Sequence, residues 1–177
     1  MLTHMKEMVE DVSLYLTADE MELQPEKIST ETLTNDIFNQ LKHYYPDLLK
    51  RYRFTIQSPL PDCYFDPLLF RQVMTNLLSN AVKATRSVDH PQIQVTGQKK
   101  DGTVILAVKD NGIGIPLQNR ERLFELFKSV HTRDRFPGTG AGLAIVKRIM
   151  ERHEGSVSVE SMGEGRGTTF TLRFPLP

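Results

Sequence analysis

The sequence predicts a two-layer α/β sandwich, more strictly α+β: a mixed sheet of about five strands covered by about three helices, with one coiled-coil-like helix in front. Three observations carry this. Helical and strand periodicities interleave over the length of a single domain, 177 residues. The last four strands come as two neighbouring pairs joined by short glycine-containing turns, which suits hairpins, whereas parallel strands need long crossovers. The helices carry apolar stripes on one side only, so each needs a sheet face to cover.

Composition narrows the class further. Hydrophobic residues make up 39% of the chain, enough to bury a core. Lys+Arg and Asp+Glu both number 22, for a formal net charge of zero, which argues against a phosphate-wrapping nucleic-acid binder. One cysteine, Cys63, excludes an intramolecular disulfide framework and a cysteine-built zinc site. No apolar run approaches the ~18 residues that span a bilayer, and no secretory signal leads the chain. The expectation is a soluble, cytoplasmic unit without membrane contact in this segment.

The elements follow in order. Residues 1–22 read as a helix whose Leu2, Met5, Val9, Val12 and Leu16 alternate by three and four, the seam of a coiled coil or helical hairpin. It packs against something outside the chain or a second copy, or else lies on the core. Residues 23–177 form the main unit. After Pro25 come a short strand at EKIS and a helix from Thr30 to about Leu49, through Leu33, Ile37, Leu41 and Tyr44/Tyr45, with Pro46 ending or kinking it. RYRFTI and CYF are extended, with a turn at SPLPD between them. Asp66-Pro67 opens a long helix, an N-cap carboxylate followed by proline at the first helical position. Its stripe is Leu69, Val73, Leu77 and Ala81, flanked by Phe70, Met74 and Leu78. Strands at Gln92–Thr96 and Thr103–Lys109 join through QKKDG. Residues 111–140 are loop-like with a helical insert at ERLFELF. A helix over Ala141–His153 stops at Gly155, expected in the left-handed conformation, and SVSVES and TTFTLRF are the final strands, joined by MGEGRG.

Three features carry chemistry. Asn76, Asn80 and Lys83 share a flank of the long helix, two amides and an ammonium suited to Mg²⁺ with a phosphate beside it; alone, they also fit a solvated polar face. Asp110-Asn-Gly112-Ile-Gly114 follows a strand, so a carboxylate stands where the backbone can come close to a ligand, or where a tight turn needs glycine. It is not the dinucleotide fingerprint, because no third glycine opens a helix. Gly138-Thr139-Gly140-Ala141-Gly142-Leu143 runs into a helix, exposing N–H groups as a phosphate cradle or forming a flexible loop. It lacks the Lys-Ser/Thr ending of a P-loop.

In this order, with Phe124 and Phe127 between the second and third, these features closely resemble the N, G1, F and G2 boxes of sensor histidine kinases of two-component systems. The resemblance covers roughly residues 22–177, and the lid wording VHTRDRFPGTGAGLAIVKRI is similar to that of phytochrome-type kinases. It implies the Bergerat ATP-binding fold shared with gyrase, Hsp90 and MutL, ATP and Mg²⁺ as cofactors, and a histidine as phosphoacceptor. It further implies that Asn80 binds Mg²⁺ with Asn76 assisting, that Lys83 touches phosphate and that Asp110 accepts the adenine amino group. Gly112 and Gly114 let the lid leave the strand close to the nucleotide, and Gly138, Thr139, Gly140, Ala141, Gly142 and Leu143 wrap the phosphates. Thr168 supports the Asp110 contact through water, and Phe124 and Phe127 anchor the lid. The leading helix resembles the second helix of the family's dimerisation hairpin, so the implied partners are an H-box helix, a response-regulator receiver domain and a second copy of the intact protein.

Departures from the family pattern sharpen the expectation. ATP-hydrolysing relatives place Glu where this chain has Asn76, and an amide is no general base near neutral pH, so transfer is favoured over hydrolysis. Of five histidines, none stands in an H box. His153 reads as a helix-terminal cation, and His4, His43, His90 and His131 as surface or packing residues. The acceptor is therefore expected outside these residues, and the chain by itself is not expected to autophosphorylate. Ser129 stands where phytochrome-like relatives carry Arg, with Lys128, Arg133 or Arg135 as substitutes. The alternatives are a degenerate nucleotide-binding docking module, a Bergerat-type ATPase, and a serine/threonine kinase of the anti-sigma or mitochondrial type.

Overall fold

The computed structural model describes residues 13, 15–17, 20–46, 50–119, 121–126 and 140–176. Its elements are β1 (Glu26–Ile28), α1 (Thr30–Tyr44), β2 (Arg53–Ile56), β3 (Cys63–Phe65), α2 (Pro67–Ala84), β4 (Gln92–Lys100) and β5 (Thr103–Asp110). Two 3₁₀ turns (Leu117–Asn119 and Glu121–Phe124), α3 (Gly142–Arg152), β6 (Ser156–Glu160) and β7 (Thr168–Pro175) complete it. Five strands form a sheet in the order β2-β4-β5-β7-β6, and β1 pairs with β3 in a separate two-stranded ribbon. Among the described residues only β2–β4 is parallel; β4–β5, β5–β7 and β6–β7 are antiparallel. The sheet is mixed, as expected.

Strand alternation puts Ile93, Val95, Val104, Leu106, Val108, Phe170, Leu172 and Phe174 on the inner face, all buried. The outer face carries the register row Gln94, Lys109, Thr169, Glu160. Against the inner face lie Phe70, Val73, Met74, Leu77 and Leu78 of α2 and Ile145, Val146, Ile149 and Met150 of α3, all fully buried. Each such side chain contributes roughly 1.5–3 kcal/mol by leaving water. Phe38 of α1 stacks on Phe54 of β2, ring centroids 3.6 Å apart.

Several boundaries differ from the sequence expectation. α1 ends at Tyr44, short of Leu49, because Tyr45 precedes Pro46 and leaves the helical region (φ −129°, ψ 56°). Its buried face is Thr30, Thr34, Ile37, Phe38 and Leu41, while Tyr44 is 75% exposed. β4 continues through Lys100 and pairs with Thr103, so the turn is only Asp101-Gly102, both at positive φ, the two-residue type that twisted hairpins favour. ERLFELF forms a 3₁₀ turn rather than an α-helix where it is described, a segment too short to nucleate more. Leu2, Met5, Val9 and Val12 lie outside the described residues. Of that seam, Leu16 is 67% exposed, whereas its neighbour Tyr15 packs on the core with Arg148 5.4 Å over its ring.

The end of α3 departs most. Gly155 is not left-handed; Glu154 is, at φ 55°. The Gly155 N–H donates to Met150 C=O (2.8 Å) and the Glu154 N–H to Glu151 C=O (3.1 Å), the double closure of a Schellman cap. Gly155 is needed for room: a Cβ there would stand 2.6 Å from the Arg173 carbonyl oxygen. Nor is His153 the helix-terminal cation that the sequence suggests. Its ring stacks on Phe65 at 3.6 Å and 5°, Nε2 accepts the Asp66 N–H at 3.2 Å, and Nδ1 donates to Ile149 C=O at 2.9 Å. Those bonds fix a neutral tautomer, and burial lowers its pKa below the usual histidine range.

Candidate functional site

α2 is the common wall of the site. Asp66 caps it as the sequence predicts, its Oδ1 accepting the Leu68 and Leu69 N–H groups at 3.0 and 3.2 Å. Oδ2 accepts from Gln24 at 3.1 Å. The buried stripe fixes the helix's rotation and leaves Asn76, Asn80 and Lys83 half-buried, not on a fully solvated face. Asn76 meets the start of α3: a Cβ on Gly142 would lie 3.0 Å from Asn76 Oδ1. Its Nδ2 is buried and, among the described residues, has no hydrogen-bond partner. An orphaned amide of this kind normally has an explanation in what else binds there.

Asp110 is the last residue of β5 and is 4% exposed. The register places it between Ile93 of β4 and Thr168 of β7, so neighbouring strands close it off on both sides. Burial pushes its carboxyl up to about 6, against the pull of hydrogen bonds from the Gly112 and Thr168 backbones. The Gly112 N–H reaches Oδ1 at 2.8 Å. Thr168 thus meets Asp110 directly through its main chain.

The glycines after Asp110 serve close approach. A Cβ on Gly112 would lie 2.5 Å from the Ala84 carbonyl oxygen, and one on Gly114, at φ 69°, 2.1 Å from that of Gly163. Ile113 N–H donates to Ala84 C=O at 3.0 Å, tying this loop to the end of α2. One helix therefore joins both halves: the Asp110 loop at Ala84 and the Gly142 contact at Asn76, about 12 Å apart along the axis.

Gly140 is left-handed at φ 75°, Ala141 is fully buried, and Leu143 and Phe124 are half-buried against the core. Phe127, Lys128, Gly138 and Thr139, with Ser129, Arg133, Arg135, His4 and His131, lie outside the described residues. His43 and His90 are exposed. Among the described residues no group of three His, Cys, Asp or Glu could hold a metal. The donors on α2 are amides, whose hard oxygens fit Mg²⁺ shared with phosphate better than zinc.

Sequence reasoning missed one part of the site. MGEGRG does more than join β6 to β7: Gly165 N–H donates to Ile113 C=O (2.7 Å) and Gly167 N–H to Gly112 C=O (3.1 Å). Gly167, at φ 71°, would put a Cβ 2.2 Å from the Asp110 carbonyl oxygen. The alternate spacing of Gly163, Gly165 and Gly167 was the available signal. Ser161 left none, since it reads as the end of a strand.

Comparison with known proteins defines the class. The profile of the histidine kinase-, DNA gyrase B- and HSP90-like ATPases matches residues 65–177, and the chain belongs to that family. Its relatives place it with the catalytic domains of sensor histidine kinases, the phytochrome type included. Cyanobacterial phytochrome A of Nostoc sp. PCC 7120 is 36% identical over 172 residues, 93% of this chain and 22% of that protein. Phytochrome-like protein Cph1 of Synechocystis sp. PCC 6803 is 40% identical over 117 residues, 66% of this chain and 15% of that protein. The chain thus spans less than a quarter of these two relatives. Among solved structures, full-length ShkA in complex with AMPPNP superposes with a TM-score of 0.79 at 29% identity, covering 97% of this chain and 36% of that one. The catalytic domain of histidine kinase ThkA shares the fold, with a TM-score of 0.71 at 24% identity over 88% of this chain and 96% of that one. Among the described residues no helix is long and apolar enough to cross a membrane.

Proposed function

We propose that the chain binds Mg-ATP and transfers its γ-phosphate to a histidine supplied by an H-box helix outside these residues, for relay to a response-regulator aspartate. The observation that supports it most is the buried Asp110 carboxyl, held at a strand end by Gly112 and Thr168 and raised in pKa by its burial. A carboxylate there accepts a hydrogen bond from an exocyclic amino group, which adenine has and guanine lacks at the matching position. Asn80 would hold Mg²⁺ through its amide oxygen with Asn76 assisting, Lys83 meets phosphate, and Gly138 to Leu143 wrap the phosphate chain. Thr168 supports Asp110, Phe124 and Phe127 anchor the lid, and Lys128 is a lid cation for the γ-phosphate. Bound Mg²⁺ would neutralise phosphate charge.

The imidazole lone pair attacks the γ-phosphorus as the bond to the β-phosphate oxygen breaks and ADP leaves. Neutral imidazole is already nucleophilic near its usual pKa of ~6.5, so the domain's part is positioning and charge neutralisation. Asn76 withholds the general base that a hydrolase needs. Residues 1–22 are proposed as the end of the dimerisation hairpin, which would make the intact protein a homodimer acting in the cytoplasm.

Calorimetric titration with ATP, with and without Mg²⁺, tests the site. The expected result is Mg²⁺-dependent binding, weakened at least ten-fold by Asn80→Ala, with adenine preference lost in Asp110→Ala. Radiolabel transfer from ATP to an added H-box hairpin tests the reaction. No acid-labile product with a competent hairpin leaves a nucleotide-binding docking module, the reading that Ser129 favours. Rapid turnover without the hairpin would indicate an ATPase instead.

A further inference from the structure

We propose that Ser161 is a positioning residue for adenine recognition, acting through the loop that carries Gly112. This rests on the adenine-nucleotide reading of the site.

The Asp110 carboxylate is only as well placed as the loop behind it, because one of its two hydrogen bonds comes from Gly112. Among the described residues, three rungs hold that loop to the 161–167 loop. Two are backbone bonds, Gly165 N–H to Ile113 C=O at 2.7 Å and Gly167 N–H to Gly112 C=O at 3.1 Å. The third comes from a side chain: the Ile115 N–H donates to Ser161 Oγ at 3.0 Å. The same hydroxyl gives its single proton to Gly167 C=O at 2.7 Å and accepts from Gly163 N–H at 3.4 Å. One donor and two acceptor positions are all a serine hydroxyl has, so Ser161 is fully used.

Its surroundings leave little freedom. Ser161 is 5% exposed and Ile115 is buried, so neither the Ile115 N–H nor the Gly167 C=O could turn to water in exchange. Gly114 has no room for a side chain between the loops, where a Cβ would stand 3.2 Å from Ser161 Oγ. The hydroxyl therefore ties together both segments that touch Asp110: residues 112–115, through Gly112, and residues 161–167, whose Gly167 abuts the Asp110 carbonyl and precedes Thr168. Removing it frees both at once. The result is a misplaced carboxylate, felt as lost discrimination between purines as well as lost affinity.

The test measures Mg-ATP and Mg-GTP binding to the full chain by calorimetry for wild type, Ser161→Ala and Ser161→Thr, with folding checked by circular dichroism. Ser161→Ala is expected to bind ATP about ten-fold more weakly and to lose most of the ATP-over-GTP ratio, and Ser161→Thr, which keeps the hydroxyl, to restore the ratio. If the alanine variant does not fold, Ser161→Cys fills the site with a slightly larger, weakly hydrogen-bonding thiol and is expected to show about a three-fold loss with the same fall in ratio. A folded variant that keeps the wild-type ratio overturns the proposal while leaving the site reading intact. Wild type that binds neither nucleotide overturns both.

Discussion

Asp110 carries a cost for the fold at the position where the proposed function needs a carboxylate. Its pKa rises to about 6 from the usual 3.8 because burial disfavours the charge. The folded protein then holds the proton longer than the unfolded chain, so stability is full below about pH 4 and declines as pH rises through about 6. Asp110→Asn removes that decline. Urea unfolding should find the variant gaining on wild type by up to about 3 kcal/mol between pH 4 and 7, even as it binds ATP less well. ATP affinity of the wild type should itself rise as pH passes through about 6, since the ionised carboxylate is the better acceptor. A gap that stays constant across this range would mean that Asp110 titrates as in an unfolded chain. The residue's place was readable from a strand running into Gly112 and Gly114. Its burial was not, because it is completed by β7 and the Gly163–Gly167 loop, more than fifty positions further along the chain.

Elements are legible in proportion to how local their causes are. α2 agrees with its sequence reading from cap to stripe because Asp66, Pro67 and the apolar rows act within a turn or two. The end of α3 was misread because glycine has two uses: it tolerates left-handed backbone, and it leaves room. Here Glu154 carries the left-handed turn, and Gly155 clears the Arg173 carbonyl. Glu154→Gly should therefore stabilise by about 0.5–1 kcal/mol, and Gly155→Ala should destabilise by about 1–3 kcal/mol. Thermal melts should move up by a few degrees for the first and down for the second. The opposite order would restore Gly155 as the turn residue.

Across the whole molecule, the joint around Asp66 ties separated parts of the chain together. Its carboxylate caps α2 and takes Gln24, its N–H goes to His153 at the end of α3, and His153 stacks on Phe65 of β3. Arg152 also donates to the Met21 carbonyl. His153 is pressed toward neutrality chiefly by burial and also by the Arg152 charge, against the Ile149 carbonyl and the Asp66 carboxylate. With its folded pKa lowered, its contribution is complete above about 6.5 and is lost as pH falls through the folded value. His153→Gln should cost about 1–3 kcal/mol at pH 7.5. The deficit should shrink on acidification, because the variant has no ring to protonate; equal deficits at pH 7.5 and 5.5 would rule this role out.

The sequence by itself determined the layer architecture, the order of elements and where the candidate site residues stand along the chain. Periodicity, caps and short motifs such as Asn76 to Lys83 or Asp110 to Gly114 act over a few residues. Only the tertiary structure decided which parts meet. Gly142 against Asn76, Thr168 against Asp110, Ser161 against Ile115 and His153 against Asp66 are contacts between residues 46 to 87 positions apart. Their hydrogen bonds and close approaches depend on strand register and helix docking, which no local pattern encodes.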